Sequence, residues 1–171
     1  MATAPEPPAS VSDLARPGAP ATTVTDAQRR IVLGVLIGSA FVVILNETLM
    51  GVAIPRFIEV FGITATAAQW LTTAFMLTLA VVIPITGWLL QRFSTRALFV
   101  TAMSLFTAGT LLGAVAPVFE LLIVARVIQA SGTAIVMPML FTTVFALVAP
   151  QRRGQVIGTV STVIAVAPAV G

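Results

Sequence analysis

The chain has 171 residues, of which 58% are apolar and only 9% charged. A soluble domain of this length carries about 25% charge, so these residues cannot furnish a water-facing surface and the chain reads as an integral membrane protein. It contains no Cys, His or Lys, which leaves no disulfide framework, thiolate nucleophile, imidazole base or zinc site of the usual type. A calculated pI near 11.5 raises a nucleic-acid partner, but the Arg residues stand singly or in pairs beside apolar runs, with no basic stripe or interleaved aromatics. No nucleic-acid partner, metal or cofactor is expected.

Residues 1–28 hold five of the eleven prolines, set among Ala, Ser and Thr. Such a segment buries too little apolar surface to offset its ordering entropy, and a disordered cytoplasmic tail is expected. It is not read as a cleavable signal peptide, because the first apolar run starts late and is long enough to span. Residues 29–171 are expected to form a partial transmembrane bundle. Its first helix covers 31–54 and stops at Pro55. A connector, PRFIEVFGITATA, follows, and Thr66 with Gln69 makes a capping-box pattern that opens a helix over 68–90. Trp70 and Trp88, near its two ends, read as interfacial anchors. The polar stretch QRFSTR leads to a third helix, 97–116, and Pro117 marks a tight turn. The fourth, 119–149, would be roughly 46 Å long at its helical rise, so it must tilt, protrude or kink, with Pro138 the kink site. After the linker PQRRGQ, a fifth segment over 156–171 is short for a span, so the chain is expected to end inside a helix.

Orientation follows from the Arg residues. Arg29 and Arg30, Arg92 and Arg96, and Arg152 and Arg153 share one side, while Arg56 stands on the other and is offset by Glu59. That asymmetry predicts a multi-pass protein of the cell membrane with a cytoplasmic N-terminus.

Three polar residues fall well inside predicted spans: Asn46, Glu47 and Arg126. An ionisable group at membrane depth costs about 2.5–3.5 kcal/mol on insertion scales and is rarely placed there without a partner or a purpose. Counted from Pro55 and Phe119, Glu47 and Arg126 occupy nearly one layer. They are read as a carboxylate–guanidinium pair in a polar cavity, where a proton or cation competes with Arg126 for Glu47. The plainer reading is a static ion pair tying the first helix to the fourth. Small residues and prolines form a second signal: Gly109 and Gly113 in helix three, Ala130, Gly132, Ala134 and Pro138 in helix four, and Gly158, Pro168 and Gly171 in the fifth segment. Small residues let membrane helices approach closely, and Pro supplies a bend.

From about Ile31 to Gly171 the chain resembles the N-terminal part of a major facilitator superfamily transporter, in particular the fourteen-helix multidrug proton-antiporter branch. LNETLMGVAIP (45–55) is similar to that branch's first-helix motif, Leu-Asp-x-Thr with a run ending in Pro, but Asn46 stands at the usual Asp and Glu47 supplies the carboxylate. This displacement resembles a sub-branch associated with lincosamide-type resistance. It leaves open which of the two faces a cavity. QWLTTAFML (69–77) is similar to the start of the branch's second helix. GWLLQRFSTR (87–96) resembles the superfamily's gating loop, matching at Gly87, Leu89, Arg92 and Arg96, with Gln91 at the usual Asp. ARVIQASGTAIVMP (125–138) resembles the helix-four motif Arg-x-x-Gln-Gly-x-Gly at Arg126, Gln129 and Gly132. PQRRG (150–154) is similar to the usual loop between helices four and five. The segment 158–171 resembles the antiporter motif, with Ala167 and Pro168 replacing Gly-Pro.

The resemblance implies an all-α integral membrane fold, part of a six-helix bundle with about five helices present and the fifth incomplete. It implies alternating access, with proton entry driving export of bulky hydrophobic drugs, and a role for Arg126 in proton coupling. Implied partners are the bilayer, protons, a drug-like substrate and a C-terminal part beyond Gly171. The competing expectation is a membrane scaffold or interaction protein in which Glu47 and Arg126 serve as interhelical glue. A membrane-embedded enzyme is not expected, since no cluster of acids, His or Ser lies at a membrane face.

Overall fold

The computed structural model describes residues 25–170. The expected tail lies outside the described residues except for its last four positions, as does Gly171. Five helices follow in order: α1 (Asp26–Phe61), α2 (Ala65–Arg92), α3 (Thr95–Ala114), α4 (Phe119–Leu147) and α5 (Pro150–Val170). No strand occurs among the described residues. The first four are long and apolar enough to cross a membrane.

The helix ends differ from the sequence reading, and prolines account for most of the difference. Helix α1 begins at Asp26 and runs through Pro55 to Phe61. A proline removes one backbone donor and disturbs one turn, and here the helix resumes at once, carrying an exposed Arg56–Glu59 pair at 2.9 Å beyond it. The true stop is Gly62, left-handed at φ 61°, whose N–H reaches the Ile58 carbonyl. At the start of α2 the cap is Thr64, which accepts from the Ala67 N–H, rather than Thr66. Ser94 caps α3 in the same way through Ala97, so the connection between α2 and α3 shrinks to Phe93 and Ser94. Pro150, expected in a linker, opens α5. Its fixed φ and missing N–H suit the first helical turn, where that donor would have no partner. Helix α4 is continuous through Pro138.

The centre of the bundle is α4, which packs against α1, α2, α3 and α5. Its buried positions run nearly all round, from Leu122 and Ala125 through Val136, Met139 and Leu140 to Val144. The outer helices bury one stripe each, as with Ala68, Leu71 and Phe75 of α2 and Leu98, Ala102 and Phe106 of α3. Their other faces present large apolar side chains such as Leu77, Val81, Val100 and Leu111, the arrangement required where the solvent is lipid. Trp70 and Trp88 are both exposed near opposite ends of α2. Helices α3 and α4 meet at glycines. A Cβ on Gly109 would lie 2.5 Å from the Gln129 nitrogen, and one on Gly132 would strike the Ala102 carbonyl. Small residues at these two points bring the helices close enough for their side chains to exchange hydrogen bonds.

Candidate functional site

Close approach of α3 and α4, with α1 and α2 on the flanks, gathers a polar cluster around the buried Arg126 in a mainly apolar bundle. Glu47 of α1 accepts from Arg126 Nη2 of α4 at 2.6 Å. Arg126 is 1% exposed and Glu47 30%, so the cation is wholly enclosed and the carboxylate is not. Arg126 Nη1 donates to the Gln129 amide oxygen one turn on. The Gln129 Nε2 donates at 2.8 Å to Thr110 of α3, whose hydroxyl donates in turn to the Phe106 carbonyl at 2.8 Å. From α2, the Phe75 ring lies 4.1 Å from the guanidinium carbon, so the cation sits over an aromatic face. Each of α1–α4 thus contributes to holding Arg126. Among the described residues, its Nε has no acceptor within reach.

Beside this chain of bonds is a cavity of about 290 Å³, lined by Asn46, Met50, Gly109, Thr110, Arg126 and Gln129 among others. The structure therefore brings four predicted residues together and divides the adjacent pair: Glu47 engages the cation while Asn46 lines the cavity. Gln129 links the two. Thr110 and Phe75 belong to the site although the sequence did not single them out. A helical Thr carries no mark of an interhelical role, since Ser39, Thr48 and Thr78 return their hydroxyls to their own helix. An aromatic residue in a membrane helix likewise reads as ordinary core.

The remaining predicted residues lie elsewhere. Gly87 has no neighbour that a Cβ would meet, and Gly87, Arg92 and Arg96 are all exposed. Residues 87–92 are the last turns of α2 rather than a loop. Arg96 borders a separate apolar cavity with Ile31, Val35 and Phe99. Gly132 stands at the α3–α4 crossing. Pro138 lies two turns beyond Ser131 within α4, Gly158 has open space around it, and Pro168 falls within α5.

Residues 36–171 match the model of the Major Facilitator Superfamily. The chain belongs to this superfamily of membrane transporters. It is 49% identical over 143 residues to the MFS-type transporter YcnB of Bacillus subtilis, covering 84% of this chain and 30% of that protein. It is 37% identical over 153 residues to the lincomycin resistance protein LmrB of the same organism, covering 88% of this chain and 32% of the relative. A multidrug resistance protein B homolog of Mycobacterium tuberculosis is 39% identical over 127 residues, with 74% and 24% covered. The chain thus spans about a third or less of the length of these relatives. No solved structure matches it.

Proposed function

We propose that the chain supplies the first helices of a proton-coupled exporter of hydrophobic drugs, with the Glu47–Arg126 pair as the coupling site. The observation carrying this reading is the 2.6 Å contact between α1 and α4, in which Arg126 is wholly enclosed and Glu47 is partly exposed. Inert packing is achieved more cheaply with apolar residues, because desolvating two charges offsets most of their attraction. The contact engages one nitrogen and leaves Nε idle, short of the two-pronged geometry in which Arg holds a carboxylate most firmly. A carboxylate held by one prong and partly open to its surroundings can exchange Arg126 for a proton. Loss of its charge frees α1 from α4, which is the kind of two-position contact an alternating-access cycle uses. Relatives named for resistance to lincomycin and to multiple drugs support drug molecules as the exported class. The protein is placed in the plasma membrane with its N-terminus in the cytoplasm, following the Arg asymmetry.

Dye efflux driven by an imposed pH gradient tests the reading, using the complete protein in everted membrane vesicles. The wild type accumulates a hydrophobic dye when the gradient is applied, and Glu47→Gln abolishes the gradient-dependent part. Full pH-dependent transport by Glu47→Gln would overturn the assignment of the coupling site. The competing reading, a membrane scaffold in which the pair ties α1 to α4, draws on the Thr110–Gln129–Arg126–Glu47 chain as a structural clasp. It predicts no gradient-dependent efflux from wild type or variant.

A further inference from the structure

At the opposite end of α1 from the Glu47–Arg126 layer, the first turns of α1 and α5 meet. A cavity of about 350 Å³ opens between them, with Arg29, Arg30 and Arg152 on its walls and Leu33, Val148 and Val156 also lining it. Two helices begin here, so their positive dipole ends add to the guanidinium charge instead of opposing it. Asp26 offsets one cation, holding Arg29 at 2.9 Å from a largely exposed carboxylate. Arg30 and Arg152 carry no ion pair among the described residues. The neighbouring Arg153 is turned away, donating to the Phe145 and Val148 carbonyls at the end of α4.

Arg30 and Arg152, the two lining guanidiniums with no carboxylate against them among the described residues, place like charge beside two helix N-termini, and an oxyanion in the cavity reverses the sign of that interaction. Guanidinium forks match phosphate oxygens geometrically. The apolar part of the lining fits a ligand with a hydrocarbon portion next to its charge, and the site lies at the ends of membrane helices. We propose that this cavity binds the phosphodiester headgroup of an anionic membrane lipid, with Leu33, Val148 and Val156 against the start of its acyl chains. The binding clamps α5 to α1 at that membrane face. This site is independent of the proton-coupling assignment, since it shares no residue with it.

The test is native mass spectrometry of the full chain released from detergent micelles, with phosphatidylglycerol, phosphatidylcholine and inorganic phosphate as probes. The wild type should retain one phosphatidylglycerol in preference to phosphatidylcholine. An Arg next to a bound anionic headgroup contributes about fivefold to its affinity, so Arg30→Gln and Arg152→Gln should each lower retention by roughly that factor. Both side chains are exposed, and neither substitution removes a core contact. Arg92→Gln, an exposed Arg outside the cavity, should leave retention unchanged. Wild-type retention by both cavity variants overturns the proposal, as does an equal loss in Arg92→Gln, which would signify a general charge effect. Displacement of the lipid by millimolar inorganic phosphate identifies a soluble anion as the occupant and overturns the lipid assignment.

Discussion

Arg126 depends on four helices for its neighbours, and each neighbour can be removed separately. Truncating one partner of a buried pair leaves an uncompensated charge, a loss of about 3–5 kcal/mol when both partners are enclosed. Glu47 is partly exposed, so Glu47→Ala should fall toward the lower end of that range, near 3 kcal/mol. Removing both charges in Glu47→Ala/Arg126→Met should recover part of the loss, and denaturant unfolding in micelles measures the difference. A double variant less stable than Glu47→Ala alone would contradict the desolvation argument. Thr110→Val removes the acceptor of the Gln129 amide while keeping the side chain's shape, and an orphaned buried donor costs about 1–3 kcal/mol. The same unfolding series should show that loss for Thr110→Val and little for Thr142→Val, an exposed Thr that bonds only its own helix. The ionic half of this site was legible in the sequence because two opposite charges in long apolar runs have few alternatives to each other. Its neutral half was not. Distance from Pro55 does not measure the depth of Glu47, because α1 continues to Phe61, so the sign of the charges locates the pair better than position along the helix.

Among elements, α3 and α4 make the tightest union, and the glycines at its crossing differ in what they tolerate. A methyl group on Gly109 meets the backbone of Ala125 and Gln129 at 2.5–2.8 Å, and backbone cannot move aside as a flexible side chain can. Gly109→Ala should therefore force the helices apart, costing about 1–3 kcal/mol or more and stretching the Gln129–Thr110 bond. Gly113→Ala makes only ordinary contacts, at 3.5 and 3.6 Å, and should be nearly neutral; thermal unfolding followed by circular dichroism separates the two. The spacing of Gly109 and Gly113 identified a packing face without ranking its members, since the rank is set by where α4 crosses. Prolines mislead for a related reason. Pro55 and Pro150 break helices as local preferences, yet one lies inside a helix that continues and the other begins one. A further element-level contact joins α4 to α5: Arg153 caps the carbonyls of Phe145 and Val148 and lies 5.6 Å from the Phe145 ring. Arg153→Ala should destabilise the end of α4 by about 1 kcal/mol, the usual worth of a charged group at a helix C-terminus, and speed amide exchange there.

On the scale of the whole molecule, composition fixed the environment and the helix count, and the alternation of short connections with long helices fixed the topology. Among the described residues, the turns at Gly62–Thr64 and Val115–Val118 join α1 to α2 and α3 to α4, while Phe93–Ser94 and Val148–Ala149 join α2 to α3 and α4 to α5. Successive spanning helices reverse direction, so the first two turns share one membrane face and the last two share the other with the start of α1. The second face holds Arg29, Arg30, Arg92, Arg96, Arg152 and Arg153, whereas Arg56 on the first face is paired with Glu59. Positive charge is retained on the cytoplasmic side, which predicts how the chain sits in a living membrane. Because these 171 residues contain no cysteine, an introduced thiol is the only one among them. Gln91→Cys and Gln151→Cys, both at exposed positions, should stay unlabelled by an impermeant maleimide in intact cells and react once the membrane is opened. Thr66→Cys and Val115→Cys should react without permeabilisation. The reverse pattern would place the basic cavity between α1 and α5 on the outer leaflet and leave the six Arg residues without a topological role.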